Sequence, residues 1–172
     1  MKLTHIIRYI VGILILVNCA VPATREGMTY KNFEPRKKIK ESIYIDQSVG
    51  GSETNPFLVS KIANEEFTNA IQDSIKESDL FHVVDEKKEN VWLLKSEIIN
   101  QDQPYFSFST NCKVLVKYSL YKSNTLVKEF QIEETASASL SDSLRPIKRV
   151  QLANEKAGRA NINKLLQELE KI

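Results

Sequence analysis

Between Asn111 and Lys122 the sequence alternates almost without fault. Cys112, Val114, Val116, Tyr118 and Leu120 fall on one side, and Lys113, Lys117 and Ser119 on the other. A period of two with one apolar side is the pattern of a strand whose sheet is buried on one face and wet on the other. Ser123-Asn124 supplies a short turn, and Leu126 to Thr135 returns as the partner strand with Phe130 and Ile132 facing inward. Val91 to Ile99 gives a third strand with Trp92, Leu94 and Ile98 on one face, and Leu80 to Val84 a short one before the charged turn Asp85–Asn90. Ile39 to Asp46 is a further strand, its alternation broken only at Glu41.

Two segments carry helical spacing instead. After Asn55-Pro56, a good N-cap and first helical residue, Val59, Ile62, Ala63, Phe67, Ala70, Ile71 and Ile75 recur at three- and four-residue steps, predicting a helix that ends near Ser78-Asp79. The second helix is predicted over roughly 143–170, with Pro146 in its first turn. Its stripe starts at Ile147 and Val150, passes through Ala153, Ala157, Gly158 and Ala160, and ends in Ile162, Leu165, Leu166 and Leu169. The small residues at its middle predict a close approach to the sheet. The expected architecture is α+β: a two-layer sandwich with an antiparallel sheet of four or five strands and two long helices on one face.

The N-terminus has a different character. Lys2 and Arg8 precede the apolar run Tyr9–Val17, which is shorter than the roughly 20 residues a membrane-crossing helix needs and suits a secretory signal. The run leads into Leu16-Val17-Asn18-Cys19. That resembles a lipobox, in which the cysteine thiol is alkylated by diacylglycerol and cleavage leaves an acylated N-terminus. Asn18 departs from the usual small residue before the cysteine, and an unprocessed membrane anchor with a chance cysteine is the alternative. The expected organisation is a signal peptide over 1–18, a lipidated tether over 19–38 containing two prolines and the cluster Arg36-Lys37-Lys38, and one periplasmic domain over 39–172. Two or three acyl chains anchor a protein stably where one is marginal.

Composition then excludes several classes. Once Lys2 and Arg8 leave with the signal, 22 of the 24 basic side chains remain against 22 acidic ones, so the mature chain is neutral and nothing in it advertises nucleic acid. With Cys19 carrying lipid, Cys112 has no disulfide partner. His82 would be the one histidine left, a poor start for a metal site, and Cys112 sits on the apolar face of its strand, which predicts a buried, inert thiol. Acidic neighbours such as Glu65-Glu66 and Glu133-Glu134 read as solvated faces, and Gly50-Gly51 as a plain turn lacking the lysine of a phosphate loop. No catalytic residue, metal or cofactor is expected.

The suggestive segment is 101–109, QDQPYFSFS, with Tyr105, Phe106 and Phe108 in a polar connection. Exposed aromatics in a loop often mark recognition, and these form a candidate partner-binding loop. The alternative is that Phe106 or Phe108 closes the core. A weaker candidate is the open sheet face around Leu115, Tyr121 and Val127.

The lipobox, the tether, the helix ending in FTNAIQDSIKESDLF, the strand pair around KVLVKYSLY and the closing helix RVQLANEKAGRANINKLLQEL together resemble small bacterial envelope lipoproteins with a strand-helix-meander-helix domain. That broad group includes lipoproteins of lipopolysaccharide assembly, curli secretion and peptidoglycan-synthase activation. The resemblance implies a non-catalytic accessory or assembly subunit, anchored in the membrane through its lipid and docking on an envelope protein. A lipid- or glycan-binding carrier or sensor is the alternative. Ala20 after the cysteine is similar to outer-membrane lipoproteins facing the periplasm.

Overall fold

The computed structural model describes residues 19–56, 59–103 and 110–172. In chain order the elements are a one-turn helix α1 (Arg25–Met28), strand β1 (Ser42–Ile45), helix α2 (Asn64–Ser78), strands β2 (His82–Val84), β3 (Trp92–Asp102), β4 (Thr110–Lys122) and β5 (Thr125–Ala138), and helix α3 (Pro146–Leu169). The five strands form one sheet in the order β2-β1-β3-β4-β5.

The fold class is α+β with helices over one sheet face, but the sheet is mixed where an antiparallel one was expected. β3, β4 and β5 form an antiparallel meander, whereas β1 runs parallel to both of its neighbours, β2 and β3. The reason lies in α2. It carries the chain back over the sheet from the far end of β1, so β2 enters in the direction of β1, and residues 85–91 then return the chain past β1 so that β3 runs the same way.

The alternation read from sequence is the alternation observed. Leu94 and Ile98 of β3, the even residues from Cys112 to Leu120 of β4, and Ile132 of β5 are all buried on the helix side. Register enforces this: Leu94 pairs with Leu120, Ile98 with Val116 and Val116 with Ile132, so one slip would turn the whole set toward water. The β4–β5 turn holds Ser123 at φ 47° and Asn124 at φ 62°, the doubly positive pair that a two-residue type I′ hairpin requires.

The first helix is shorter than its spacing suggests. Asn55-Pro56 does not open it; α2 begins at Asn64, with Ala63 as an N-cap that makes no side-chain capping bond. Val59 and Ile62 are buried all the same, from a loop in which the amide of Lys61 donates to Thr54 Oγ1 (2.8 Å) and that of Gly51 to Asn64 Oδ1 (2.7 Å). The Thr54 side chain thus takes the amide of Lys61, which a helix opening at Asn55-Pro56 would have paired within its own backbone. Gly50 turns the chain with φ +79° directly against β3, where an added Cβ would stand 2.2 Å from the carbonyl oxygen of Ile98.

α3 closes the core with Ile162, Leu165, Leu166 and Leu169, all completely buried. Its polar residues are more unusual. Asn161 has no exposed surface, accepts a bond from the Tyr118 hydroxyl (2.7 Å) and donates to the carbonyls of Ile132 (2.8 Å) and Val114 (3.4 Å). It locks the helix to the register of β4 and β5, and burial pushes the Tyr118 phenol well above its ordinary value. Truncating Asn161→Ala orphans a buried hydroxyl and is expected to cost about 1–3 kcal/mol. Tyr118→Phe should cost less, and in urea denaturation the double variant should lose less than the sum of the two.

Candidate functional site

Residues 20–38, expected as a tether, lie on the domain as a strap between α2 and α3. The amide of Ala20 donates to the carbonyl of Pro56 (2.7 Å) and that of Ala23 to Lys61 (2.9 Å); Ala20, Ala23, Met28 and Thr29 are buried. Thr24 caps α1 by accepting from the amide of Gly27 (3.0 Å). Its own amide and hydroxyl donate to one carboxylate oxygen of Glu155 in α3 (3.0 and 2.9 Å), which also accepts from Gln151 Nε2 (2.9 Å). Glu155 is 6% exposed, so three hydrogen bonds compensate a carboxylate almost out of water. On the other side, Arg25 grips Asp73 of α2 through two guanidinium nitrogens, which raises the arginine's pKa.

Gly158 gives Met28 its seat: an added Cβ would lie 2.9 Å from the sulfur and 3.0 Å from Cγ. The small residues of α3 therefore make room for the strap as well as for the sheet. Gly158→Leu is expected to evict Met28, and trypsin should then cut at Arg25 and Lys31 in the native protein much faster than in the parent, with the domain core left intact.

Cys19 is exposed and lies one residue before the buried Ala20. The loop that receives Ala20 is itself held, because the carbonyl of Ser60 accepts from Gln103 Nε2 (3.0 Å) at the end of β3 and from Asn154 Nδ2 (2.9 Å) in α3, and Asn154 also donates to Gln103 Oε1 (2.9 Å). This buried amide cluster fixes the end of the molecule where the described chain begins. Sequence reading left Asn154, Glu155 and Asn161 outside the apolar stripe. Their common spacing with Ala157, Ile162 and Leu165 on one helix face was the available signal.

Of the other candidates, Asn18, the residue preceding the predicted cleavage, and the aromatics Tyr105, Phe106 and Phe108 lie outside the described residues. Cys112 is completely buried against Val59, Ala138, Val150 and Ala153, and burial pushes its thiol up to about 12. In a Cys19→Ala variant, Ellman's reagent at about pH 8 should find no reactive thiol in the native chain, and one after denaturation. His82 is exposed at the start of the edge strand β2. Among the described residues no group of three His, Cys, Asp or Glu side chains could hold a metal ion, and no helix is long and apolar enough to cross a membrane.

The open sheet face, the weaker candidate, carries a shallow groove of about 350 Å³ lined by Asp46, Lys95, Glu97, Lys117, Tyr121 and Glu129 among others. Its charges are largely matched within the sheet: Lys117 with Glu97 (2.7 Å), Lys113 with Glu133 (3.2 Å), and Ser119 donating to Glu129 (2.9 Å). Leu115 and Tyr121 are half-buried on it, while Val127 is exposed beside a register shift near the β4–β5 turn.

No family model matches the chain, and no curated protein matches it. Solved structures do share its fold. A hypothetical protein from Chlamydia trachomatis is similar with a TM-score of 0.56 at 10% identity, over 77% of this chain and 96% of the other. A minor lipoprotein from Acinetobacter baumannii gives 0.56 at 4% identity, over 78% and 94%. The rare lipoprotein B from Shewanella oneidensis gives 0.52 at 9% identity, over 76% and 95%. The fold is one that solved bacterial lipoproteins adopt, in keeping with the resemblance read from sequence. No single family is assigned, and at these identities what is shared is the fold.

Proposed function

We propose that the protein is a bacterial lipoprotein, cleaved between Asn18 and Cys19 and acylated on Cys19, that serves as a non-catalytic accessory or assembly subunit of a cell-envelope complex. The observation carrying the anchored reading is the junction at Cys19. The thiol is exposed to solvent beside the buried Ala20, open to acylation, while the other cysteine is sealed in the core. The lipobox-like Leu16-Val17-Asn18-Cys19 and the fold shared with solved lipoproteins support the same assignment.

The accessory role is supported by the character of the exposed surface. The groove on the sheet face is lined by charged and polar side chains already paired with one another, a surface suited to reversible protein contact through exchange of ion pairs. Ala20, at the position after the cysteine proposed to be lipidated, supports residence in the outer membrane, facing the periplasm.

Affinity purification of the tagged full-length chain from gently solubilised membranes, beside a Cys19→Ala control, tests this reading. A stoichiometric envelope complex that accompanies only the acylated form is the expected result. An acylated protein recovered alone would overturn the accessory role and bring forward a lipid- or glycan-binding carrier, and an unacylated protein would overturn the anchor itself.

A further inference from the structure

Resting on the acylation of Cys19 proposed above, we infer that the lipid is attached without a spacer, and that the end of the domain formed by Val21, Leu140 and Leu144 stands directly on the phospholipid bilayer. A conventional tether would let a lipoprotein domain tumble above its membrane. Here only Cys19 separates the acyl chains from Ala20, whose amide is bonded to Pro56 and whose side chain is buried. The free chain between lipid and rigid body is one residue, about 3.5 Å at full stretch.

The same contacts say which end of the domain is held. The strap runs beside α3 in the same direction: Thr24 meets Glu155, Met28 meets Gly158, and the amide of Arg36 reaches Glu170. Glu155 to Glu170 covers about 22 Å of helix. Followed backward, the strap reaches Cys19 toward the Pro146 end of α3. The turn of residues 139–145 lies at that end, tied to the end of β5 by Asp142, which accepts from the amide of Ser139 (2.8 Å) and pairs with Lys156 (2.7 Å).

What that end displays suits a membrane surface. Leu144 is 84% exposed, the most of any large apolar residue among those described, and Val21 and Leu140 are about half exposed. Arg145 and Lys148 stand exposed beside Leu144. Apolar tips flanked by basic side chains partition into the acyl–headgroup boundary while the cations remain among the phosphates. Leu126 and Val127, near the β4–β5 turn at the opposite end, are as exposed as Leu140 but carry no anchor. They are the internal control.

The test uses the full-length acylated protein, purified from membranes with Cys112→Ala to leave no free thiol and reconstituted in vesicles of phosphatidylethanolamine and phosphatidylglycerol. A nitroxide is placed through Leu144→Cys or through Leu126→Cys, and collision with a water-soluble relaxant is compared with collision with oxygen. The Leu144 label is expected to be shielded from the aqueous relaxant several-fold relative to the Leu126 label. A ten-residue Gly/Ser insertion after Cys19 adds a root-mean-square reach of about 17 Å and should abolish the difference. Mass spectrometry of the N-terminal peptide reports acylation separately. An acylated protein with both labels equally wet, or with the Leu144 label still shielded after the insertion, would overturn the short attachment while leaving the anchor in place. An unacylated Cys19 would overturn both.

Discussion

The architecture depends on burying amide and carboxylate groups along α3 without leaving any of them unpaired. An apolar helix can slide over an apolar sheet at little cost. A buried asparagine cannot, because its donors and acceptor must find partners at fixed positions or forfeit the hydration given up on folding. Asn161 fixes α3 to β4 and β5, Asn154 fixes it to the backbone at Ser60 and the end of β3, and Glu155 fixes it to the N-terminal strap. Three parts of the chain remote in sequence are thereby indexed to one helix face. The leucines below them supply most of the burial, and the polar groups decide where it happens.

This indexing explains how so short a segment as β1 holds its place. It has four residues and two parallel neighbours, a weak ladder by itself. Its inward residues Ile43 and Ile45 join the core with Phe67, Ile71 and Ile75 of α2, while beyond it the chain continues along β3, where Val49 exchanges bonds with Ser96 and Ile98. The crossover helix and the strand stabilise each other, and the mixed sheet follows. The antiparallel meander is the part that local pairing could build unaided.

Legibility in the sequence divided along the same line. β4, β5 and the apolar stripe of α3 could be read because a period of two or of 3.6 is a local property, written in every few residues. The direction of β1 could not, since the alternation of four residues reads the same in either sense and the choice is made by where α2 and residues 85–91 deliver the chain. The extra turns assigned to α2 came from Val59 and Ile62, which are buried as the helical pattern demands but from a loop stabilised by Thr54 and Asn64 side chains. The strap was illegible for a related reason. Its buried apolar residues are scattered, Ala20, Ala23 and Met28, with Thr24 donating two hydrogen bonds to a carboxylate 131 residues away. Aperiodic sequence broken by proline looks like a linker whether or not the rest of the protein has prepared a groove for it. The acylation proposed at Cys19 rests on a reading of another kind, a short linear pattern that resembles a lipobox and needs no such context.

A docked strap changes what an anchor can do. A flexible tether fixes only the distance of a domain from its membrane, whereas an attachment with no slack also fixes its orientation. On the short attachment argued above, α3 and the strands of the meander, which run between the Cys19 end and the β4–β5 turn, stand away from the bilayer and do not lie along it. The open face of the sheet then looks sideways, parallel to the membrane plane. Its row of lysine–glutamate pairs would meet a protein standing in or on the same membrane, not one arriving from the aqueous side. Holding the face in that attitude removes rotational freedom before any encounter, and this is part of the entropy that association otherwise has to overcome. The strap, which contributes almost nothing to the sheet, is in this view what makes the sheet face usable.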